Sequence, residues 1–326
     1  MVRLGRDYTN CLVFEYLGEE DKRSLEKGEL ELESMSALAV VKAKRDVERQ
    51  IEVTRALGMN HIELDADPLN PYLNLDGDRR REIKGAAEAN DVTLSLHLPY
   101  SYVGGSVCSP QEDDRGAAVE LHKRCIQFAA DVGARYVVMH PGSTPTYHRG
   151  GKFHSSIHDS LLRSLIELGG FSAERGLAFH LENNTALDSI YSEIGDCLGI
   201  IKEARAKGVE IYFNFDIGHW FTRADFGKQI PDPPEMALEP IPPDYLKELH
   251  LNDYVPGEGI FHPPLHLGWG LLQRGNLERY ARLVKRKGVE TIVLETALKS
   301  IEQVLGREEL LKQESEYVRD IFEAVG

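Results

Sequence analysis

The chain has 326 residues, of which 42% are hydrophobic and 28% are charged, a composition typical of a folded globular protein and not of a disordered one. Its 53 Asp and Glu residues outnumber its 38 Lys and Arg residues, and the net charge of -15 argues against a nucleic-acid partner, because such a chain repels a polyanion. The four cysteines lack paired spacing, so neither a disulfide framework nor a cysteine zinc site is indicated.

Short apolar runs alternate with longer segments of helical composition. The predicted strands are 11–17, 61–65, 92–99, 136–142, 177–183, 211–219, 246–253 and 291–296. The predicted helices are 35–57, 77–90, 114–132, 155–175, 188–206, 273–287 and 299–325. This alternation predicts a parallel sheet of βαβ units, and eight strands predict one closed (β/α)8 barrel as a single domain over residues 1–326.

Two stretches interrupt the alternation. Residues 18–34 are acidic and lack an apolar period, so they are predicted to form an exposed excursion near the N-terminus. Residues 220–244 are rich in proline and stand after the sixth predicted strand, where a helix would be expected. A long loop of this kind in a compact domain is usually functional or mobile.

The sequence also bears on location. No run of 18 apolar residues occurs, and the first twenty residues lack the apolar stretch and cleavage site of a secretory signal. Unpaired cysteines fit a reducing compartment. We therefore expect a cytoplasmic protein with no membrane segment.

Polar side chains stand at the C-terminal ends of six consecutive predicted strands, three to eight. They are His97, His140, Glu182, Asp216 with His219, His250 and Glu295. In a barrel these ends meet at one mouth, where such folds place their active sites. A lone His is often a satisfied core residue, and Asp216 with His219 alone could form a capped turn. Their shared position favours a metal centre, and nitrogen with oxygen ligands suits Zn, Mn, Fe or Co.

The motifs "LSLHLPYS", "VVMHPGS", "FHLENNT", "FNFDIGHW", "ELHLNDY", "HLGWG" and "IVLETA" follow in an order that resembles the xylose-isomerase-like TIM-barrel superfamily. That superfamily contains sugar and sugar-phosphate isomerases and epimerases, and the endonuclease IV type of abasic-site nuclease. The resemblance covers roughly residues 60–300. It implies a shared metal site of four residues, Glu182, Asp216, His250 and Glu295.

The same resemblance bears on the other histidines. His97 and His140 match the pair that, with Glu182, holds a second metal in the nucleases. His219 matches a third-metal ligand in the nucleases and a substrate-contacting histidine in the epimerases. The nuclease Asp-x-His pair falls on His262 and Pro264, so one ligand is altered and the other lost, although His262 or His266 could substitute.

We expect a metal-dependent sugar isomerase or epimerase that moves a proton through a metal-stabilised enediolate, with a polyhydroxylated, possibly phosphorylated, small molecule as its substrate. Glu182 and Glu295 are the predicted acid–base pair, and His219 is predicted to contact substrate. The alternatives are an endonuclease IV-like hydrolase of abasic DNA, a lyase or dehydratase on the same metal site, and a non-catalytic binder.

Four further residues are candidates for substrate binding. Trp220 and Trp269 directly follow two of the mouth motifs and could stack on a sugar ring, although wall packing explains them equally well. Arg149 and Lys152, after the fourth strand, could hold a phosphate, although two cations in a surface loop are commonly only solvated.

Overall fold

The computed structural model describes residues 2–145 and 152–325, and its central feature is a closed barrel of eight parallel strands. These strands are β1 Arg3–Asp7, β2 His61–Asp65, β3 Thr93–His97, β4 Tyr136–Met139, β5 Ala178–Glu182, β6 Tyr212–Asp216, β7 Leu246–Leu251 and β10 Thr291–Glu295. Around the barrel they follow chain order, and β10 closes the ring by pairing with β1. A short antiparallel pair, β8 Tyr254–Val255 and β9 Ile260–Phe261, lies between β7 and β10 along the chain. The predicted TIM barrel is confirmed.

Helices separate most of the strands. They are α1 Glu19–Glu26, α2 Leu32–Arg45, α3 Val47–Ala56, α4 Gly77–Ala89, α5 Glu112–Asp131, α6 Lys152–Ala173, α7 Ile194–Ala206, α8 Ile217–Phe221, α9 Arg274–Lys287, α10 Ile301–Leu305 and α11 Arg307–Ala324. The helix predicted at 35–57 is two helices, because the Asp46 carboxylate accepts a hydrogen bond from the Arg49 N–H (3.1 Å) and caps α3.

The first predicted strand is wrong. Residues 11–17 form a one-turn 3-10 helix over Val13–Tyr16, and the barrel begins instead with Arg3–Asp7. Three of the five residues of Arg3–Asp7 are charged, so this strand could not be recognised as an apolar run. Its Arg6 is nonetheless fully buried, because the guanidinium pairs with the Glu314 carboxylate at 2.8 Å.

The two irregular stretches have different structures. Residues 18–34 contain α1, whose Leu25 is fully buried in a second hydrophobic cluster with Val13 and Met35, while most of their acidic side chains are exposed. Residues 220–244 contain the end of α8 and two 3-10 turns, Thr222–Phe226 and Pro234–Leu238, and no barrel helix. The long proline-rich connection after the sixth strand is therefore present.

The interior of the barrel is polar below the mouth. It contains the buried side chains of His61, Glu63, Ser95, Tyr136, His180 and Glu248. The Tyr136 hydroxyl donates to Glu248 Oε1 (2.7 Å) and lies 3.0 Å from His61 Nε2. Glu248 also contacts His180 Nδ1 at 2.8 Å. Hydrogen bonding of this kind is what allows ionisable groups to be buried.

The cysteines and the helices agree with two further expectations from the sequence. Cys11, Cys108, Cys125 and Cys197 are all buried free thiols, as their spacing indicated. Among the described helices, none combines the length and the apolar character that crossing a membrane requires.

Candidate metal centre

The C-terminal ends of the strands open onto one cavity of about 400 Å³. Five of the predicted site residues line it: His97, His140, His219, His262 and Glu295. Glu182, Asp216 and His250 are fully buried and are not among the lining residues. The predicted site residues therefore contribute four imidazoles and one carboxylate to the cavity lining, and further ionisable groups are buried behind them.

His250, at the end of β7, stands at the centre of the buried row. Its Nδ1 lies 3.2 Å from Glu295 Oε1, 3.4 Å from Glu182 Oε2 and 3.8 Å from Asp216 Oδ2. Burial alone would lower the pKa of His250, but the carboxylates of Glu182 and Glu295 raise it well above its ordinary value. Strands β5, β6 and β10 thus aim three carboxylates at one ring nitrogen.

The residues around His250 fit a divalent ion. Among the described residues, Glu182 Oε1 and both ring nitrogens of His250 are buried without a hydrogen-bond partner. Each such atom costs about 1–3 kcal/mol when unsatisfied, and a cation held by these atoms would remove that cost. One group of suitably close ligand atoms comes from Glu182, Asp216 and His250, and another includes His250 with Glu295. Their nitrogen and oxygen donors suit the metals expected from the sequence.

His97 and His140 form a second group with Glu182. His97 Nε2 is 3.3 Å from Glu182 Oε2, and His140 Nε2 is 3.6 Å from Glu182 Oε1. Burial lowers the pKa of His140 to about 4. For His97 burial acts in the same direction, but the hydrogen bond and charge of Glu182 outweigh it and raise the pKa to about 10. The two imidazoles therefore have different protonation states at neutral pH.

His219 and His262 form a third group with Asp216. Asp216 caps α8 by accepting a hydrogen bond from the His219 N–H (2.6 Å), which turns the His219 ring toward the site. His219 Nδ1 is 3.2 Å from Glu182 Oε1. His262 Nδ1 is 3.8 Å from Glu295 Oε2. Burial would lower the pKa of His219, but Asp216 and Glu182 raise it to about 9.

The remaining candidates lie elsewhere. His266 is in none of the metal-ligand groups of the described residues, and burial, with a smaller contribution from Arg6, lowers its pKa against the opposing charge of Glu314. Trp220 packs in the wall against Phe215 and is not among the residues that line the cavity.

The other three predicted substrate contacts are Trp269, Arg149 and Lys152. Trp269 is half-exposed and, like Trp220, does not line the cavity. Arg149 lies outside the described residues, and Lys152 begins α6 without a described side chain.

Two residues that the sequence did not single out belong to the centre. Asn252 donates from Nδ2 to Asp216 Oδ2 (2.7 Å) and Glu295 Oε2 (2.8 Å), so one amide holds two carboxylates together. Its Oδ1 accepts from the Gly218 N–H, where a side chain would clash because its Cβ would stand 2.7 Å from that oxygen. Glu63 Oε1 lies 3.0 Å from His250 Nε2. The sequence feature that could have identified Glu63 is the alternation in "HIELD", which places positions 61, 63 and 65 on the same face of the strand.

A parallel barrel with histidines and carboxylates at its mouth defines the class of protein. The family model described as xylose isomerase-like TIM barrel matches residues 51–321. The chain belongs to this family, and the resemblance seen in the motifs is confirmed. No curated protein matches the sequence.

Solved structures of the same fold are similar over most of the chain. One is D-psicose 3-epimerase from Clostridium cellulolyticum with D-tagatose, at 14% identity and a TM-score of 0.68, covering 99% of each chain. Another is 3-keto-D-glucoside 4-epimerase from E. coli, at 16% identity and a TM-score of 0.59, covering 82% of this chain and 94% of that one. A third is a xylose isomerase-like TIM barrel protein from Mycobacterium smegmatis in complex with magnesium, at 18% identity and a TM-score of 0.57, covering 86% and 89%. At these identities the similarity shows the fold.

Proposed function

We propose that the protein is a divalent-metal-dependent isomerase or epimerase of a sugar or similar polyol. The observation that carries this proposal is the placement of Glu182 and Glu295, from different strands, about one nitrogen of His250, within 3.4 Å and 3.2 Å of its Nδ1. Two carboxylates about one metal-ligand position can serve the two faces of a planar enediolate. The sugar epimerases with the same fold support this assignment.

Glu295 is the proposed acid–base group on one face, because it lines the cavity directly. Burial would raise its pKa, but the charge of the nearby His250 ring lowers it below the ordinary value. Glu295 is therefore ionised at neutral pH and is ready to accept a proton from a carbon next to a carbonyl group.

Glu182 serves the other face through His219 in this proposal. Glu182 is fully buried, whereas His219 both lines the cavity and contacts Glu182 Oε1 at 3.2 Å. The raised pKa of His219, about 9, keeps a proton on the ring at neutral pH. His219 can thus donate its proton to the substrate and be reprotonated from solvent, while the Glu182 carboxylate holds the ring in place through the 3.2 Å contact.

Glu182, Asp216, His250 and Glu295 would hold the ion. When bound, a divalent cation supplies Lewis-acid stabilisation of the negative charge that develops on the substrate oxygens. Asn252 and the Asp216 cap keep the carboxylates in place. We further propose a single-domain cytoplasmic protein with a small polyhydroxylated substrate.

The test is an assay of the purified, Mn²⁺-reconstituted protein on free and phosphorylated ketoses, with products separated by chromatography. We expect a ketose to be converted to its epimer or to an aldose, and a chelator to stop the conversion. An unsaturated or dehydrated product would indicate the lyase alternative. Absence of any turnover would contradict the proposal.

Hydrolysis of abasic DNA is the second candidate, because the mouth holds three neighbouring ligand groups. His262 stands with Asp216 and His219, at the position where the nuclease pattern has an aspartate. The net charge of -15 opposes DNA binding. Cleavage of an abasic duplex at stoichiometric metal would support this candidate, and an intact duplex would remove it.

A further inference from the structure

The end of the cavity near strands β1 and β2 has a different chemistry from the metal-ligand end. Asp7 ends β1 and Asp65 ends β2, and both line the cavity together with Lys44 of α2. Along the barrel wall Asp7 pairs in register with Glu295, and Asp65 pairs with His97. A substrate in this cavity would therefore meet these three side chains next to the ion-binding residues, on the β1 and β2 side of the mouth.

Lys44 is held there by the N-terminal helices. Met35, Ala39 and Ala43 of α2 are buried in the second hydrophobic cluster, which fixes the helix over the barrel. The side chain of Lys44 is 2% exposed. Its Nζ contacts Asp65 Oδ2 at 2.9 Å and donates to the Asp67 carbonyl at 2.7 Å. An ammonium carries three donors, so these two partners leave one N–H for a ligand.

Asp7 supplies the complementary acceptor. Its Oδ1 accepts a hydrogen bond from the Thr9 N–H (2.7 Å), and a carboxylate has further lone pairs with which it can accept from a ligand in the cavity. A free donor on Lys44 and a free acceptor on Asp7 match a hydroxyl group, which both donates and accepts.

A phosphate would be recognised poorly at this end. Among the described residues, Lys44 is the one lysine or arginine in the cavity lining, and it is already paired with Asp65. Asp7, Asp65, Asp67 and Asp188 also line the cavity. An anionic group placed there would face like charges in a partly desolvated space.

We propose that Lys44, Asp65 and Asp7 form a subsite beside the metal centre that binds hydroxyl groups and selects an uncharged, non-phosphorylated polyol. This inference rests on the proposed function and adds the substrate class. Lys44 is a specificity-determining residue supplied by the segment before the second barrel strand, and it takes no part in proton transfer.

The experiment compares the Mn²⁺-loaded wild type with Lys44→Met, Asp7→Asn and the control Lys42→Met, which removes an exposed lysine of the same helix. The probes are D-fructose and D-ribulose with their 6- and 5-phosphates. We expect the wild type to prefer the free ketose at least tenfold in kcat/KM. Lys44→Met and Asp7→Asn should each raise KM about 10- to 100-fold, because each removes a hydrogen bond between the substrate and a charged group. The value of kcat should be nearly unchanged.

Three results would overturn the subsite: a preference for the phosphorylated ketose, a fall in kcat at constant KM, or a KM as unaffected as in Lys42→Met. Because Lys44→Met leaves Asp65 without its cation, a thermal unfolding measurement checks that this variant folds. If the Lys44→Met variant does not fold, Asp7→Asn tests the subsite independently. Absence of turnover on all four probes in the wild type would instead contradict the proposed function, and the subsite with it.

Discussion

The two ring nitrogens of His250 face different carboxylates, and on the Nε2 side Glu63 is nearer than Glu248, whose Oε1 lies at 3.8 Å. Nδ1 faces Glu182, Asp216 and Glu295, while Nε2 lies 3.0 Å from Glu63 Oε1. The other Glu63 oxygen accepts from the Ser95 hydroxyl at 2.9 Å, which fixes the carboxylate. A carboxylate in this position keeps the proton on Nε2 and leaves Nδ1 free as a ligand.

Glu63→Gln should weaken metal binding although Glu63 is on the far side of the imidazole. The introduced amide can present N–H groups to Nε2, which would favour the tautomer with the proton on Nδ1. We expect the affinity for Mn²⁺, measured by competition with a fluorescent chelator, to fall about 10- to 100-fold. Glu88→Gln, an exposed position on α4, is the control. Equal affinity in the two variants would show that Glu63 does not orient His250.

We expect one firmly held ion per chain, measured by elemental analysis after reconstitution with Mn²⁺ and gel filtration. The four-residue centre around His250 offers three carboxylates and one imidazole, whereas the group of His97 and His140 offers one carboxylate, Glu182, which it shares with that centre. Asp216→Asn should therefore lose the ion and His97→Gln should retain it. Three ions per chain would contradict this and favour the nuclease arrangement.

The buried imidazole of His61 should make folding sensitive to acid. Burial lowers its pKa from 6.5 to about 3, so the folded protein keeps the ring neutral while the unfolded chain takes up a proton below pH 6.5. Its contribution to stability is therefore present above pH 6.5 and is lost as the pH falls toward 3.

The measurement is the free energy of unfolding in urea at pH 7.5 and pH 5 for wild type and His61→Gln. Between these values wild type should lose about 2 kcal/mol more than the variant, whose amide does not titrate. A pH dependence identical in the two proteins would show that His61 is not kept neutral by the fold. The comparison cancels the opposite effect of Glu248, whose pKa burial raises to about 7.

The residues at the mouth of the barrel could be predicted from the sequence because each of them ends an apolar run, and that run identifies a strand. His97, Glu182, Asp216, His250 and Glu295 were placed correctly at strand ends from this pattern. Their grouping follows from barrel closure, which brings distant strand ends to one edge.

The opposite side of the cavity could not be predicted in the same way. Strand β1 is too polar to be recognised as an apolar run, so the sequence did not indicate that Asp7 ends a strand. Lys44 lies in a helix where a lysine normally indicates a solvated face, and it is buried only because the second hydrophobic cluster holds α2 over the mouth. Asn252 carries no charge to mark it, yet it joins two carboxylates.

Proton exchange at carbon is the most direct test of the central proposal. The Mn²⁺-loaded protein is incubated with free ketoses in deuterium oxide, and deuterium at the carbon next to the carbonyl is measured by mass spectrometry. We expect exchange by the wild type and by Glu88→Gln, and a loss of about 100-fold or more in Glu295→Gln, Glu182→Gln and His219→Gln. Absence of exchange on any ketose in the wild type, or undiminished exchange in all three variants, would contradict proton transfer by these residues.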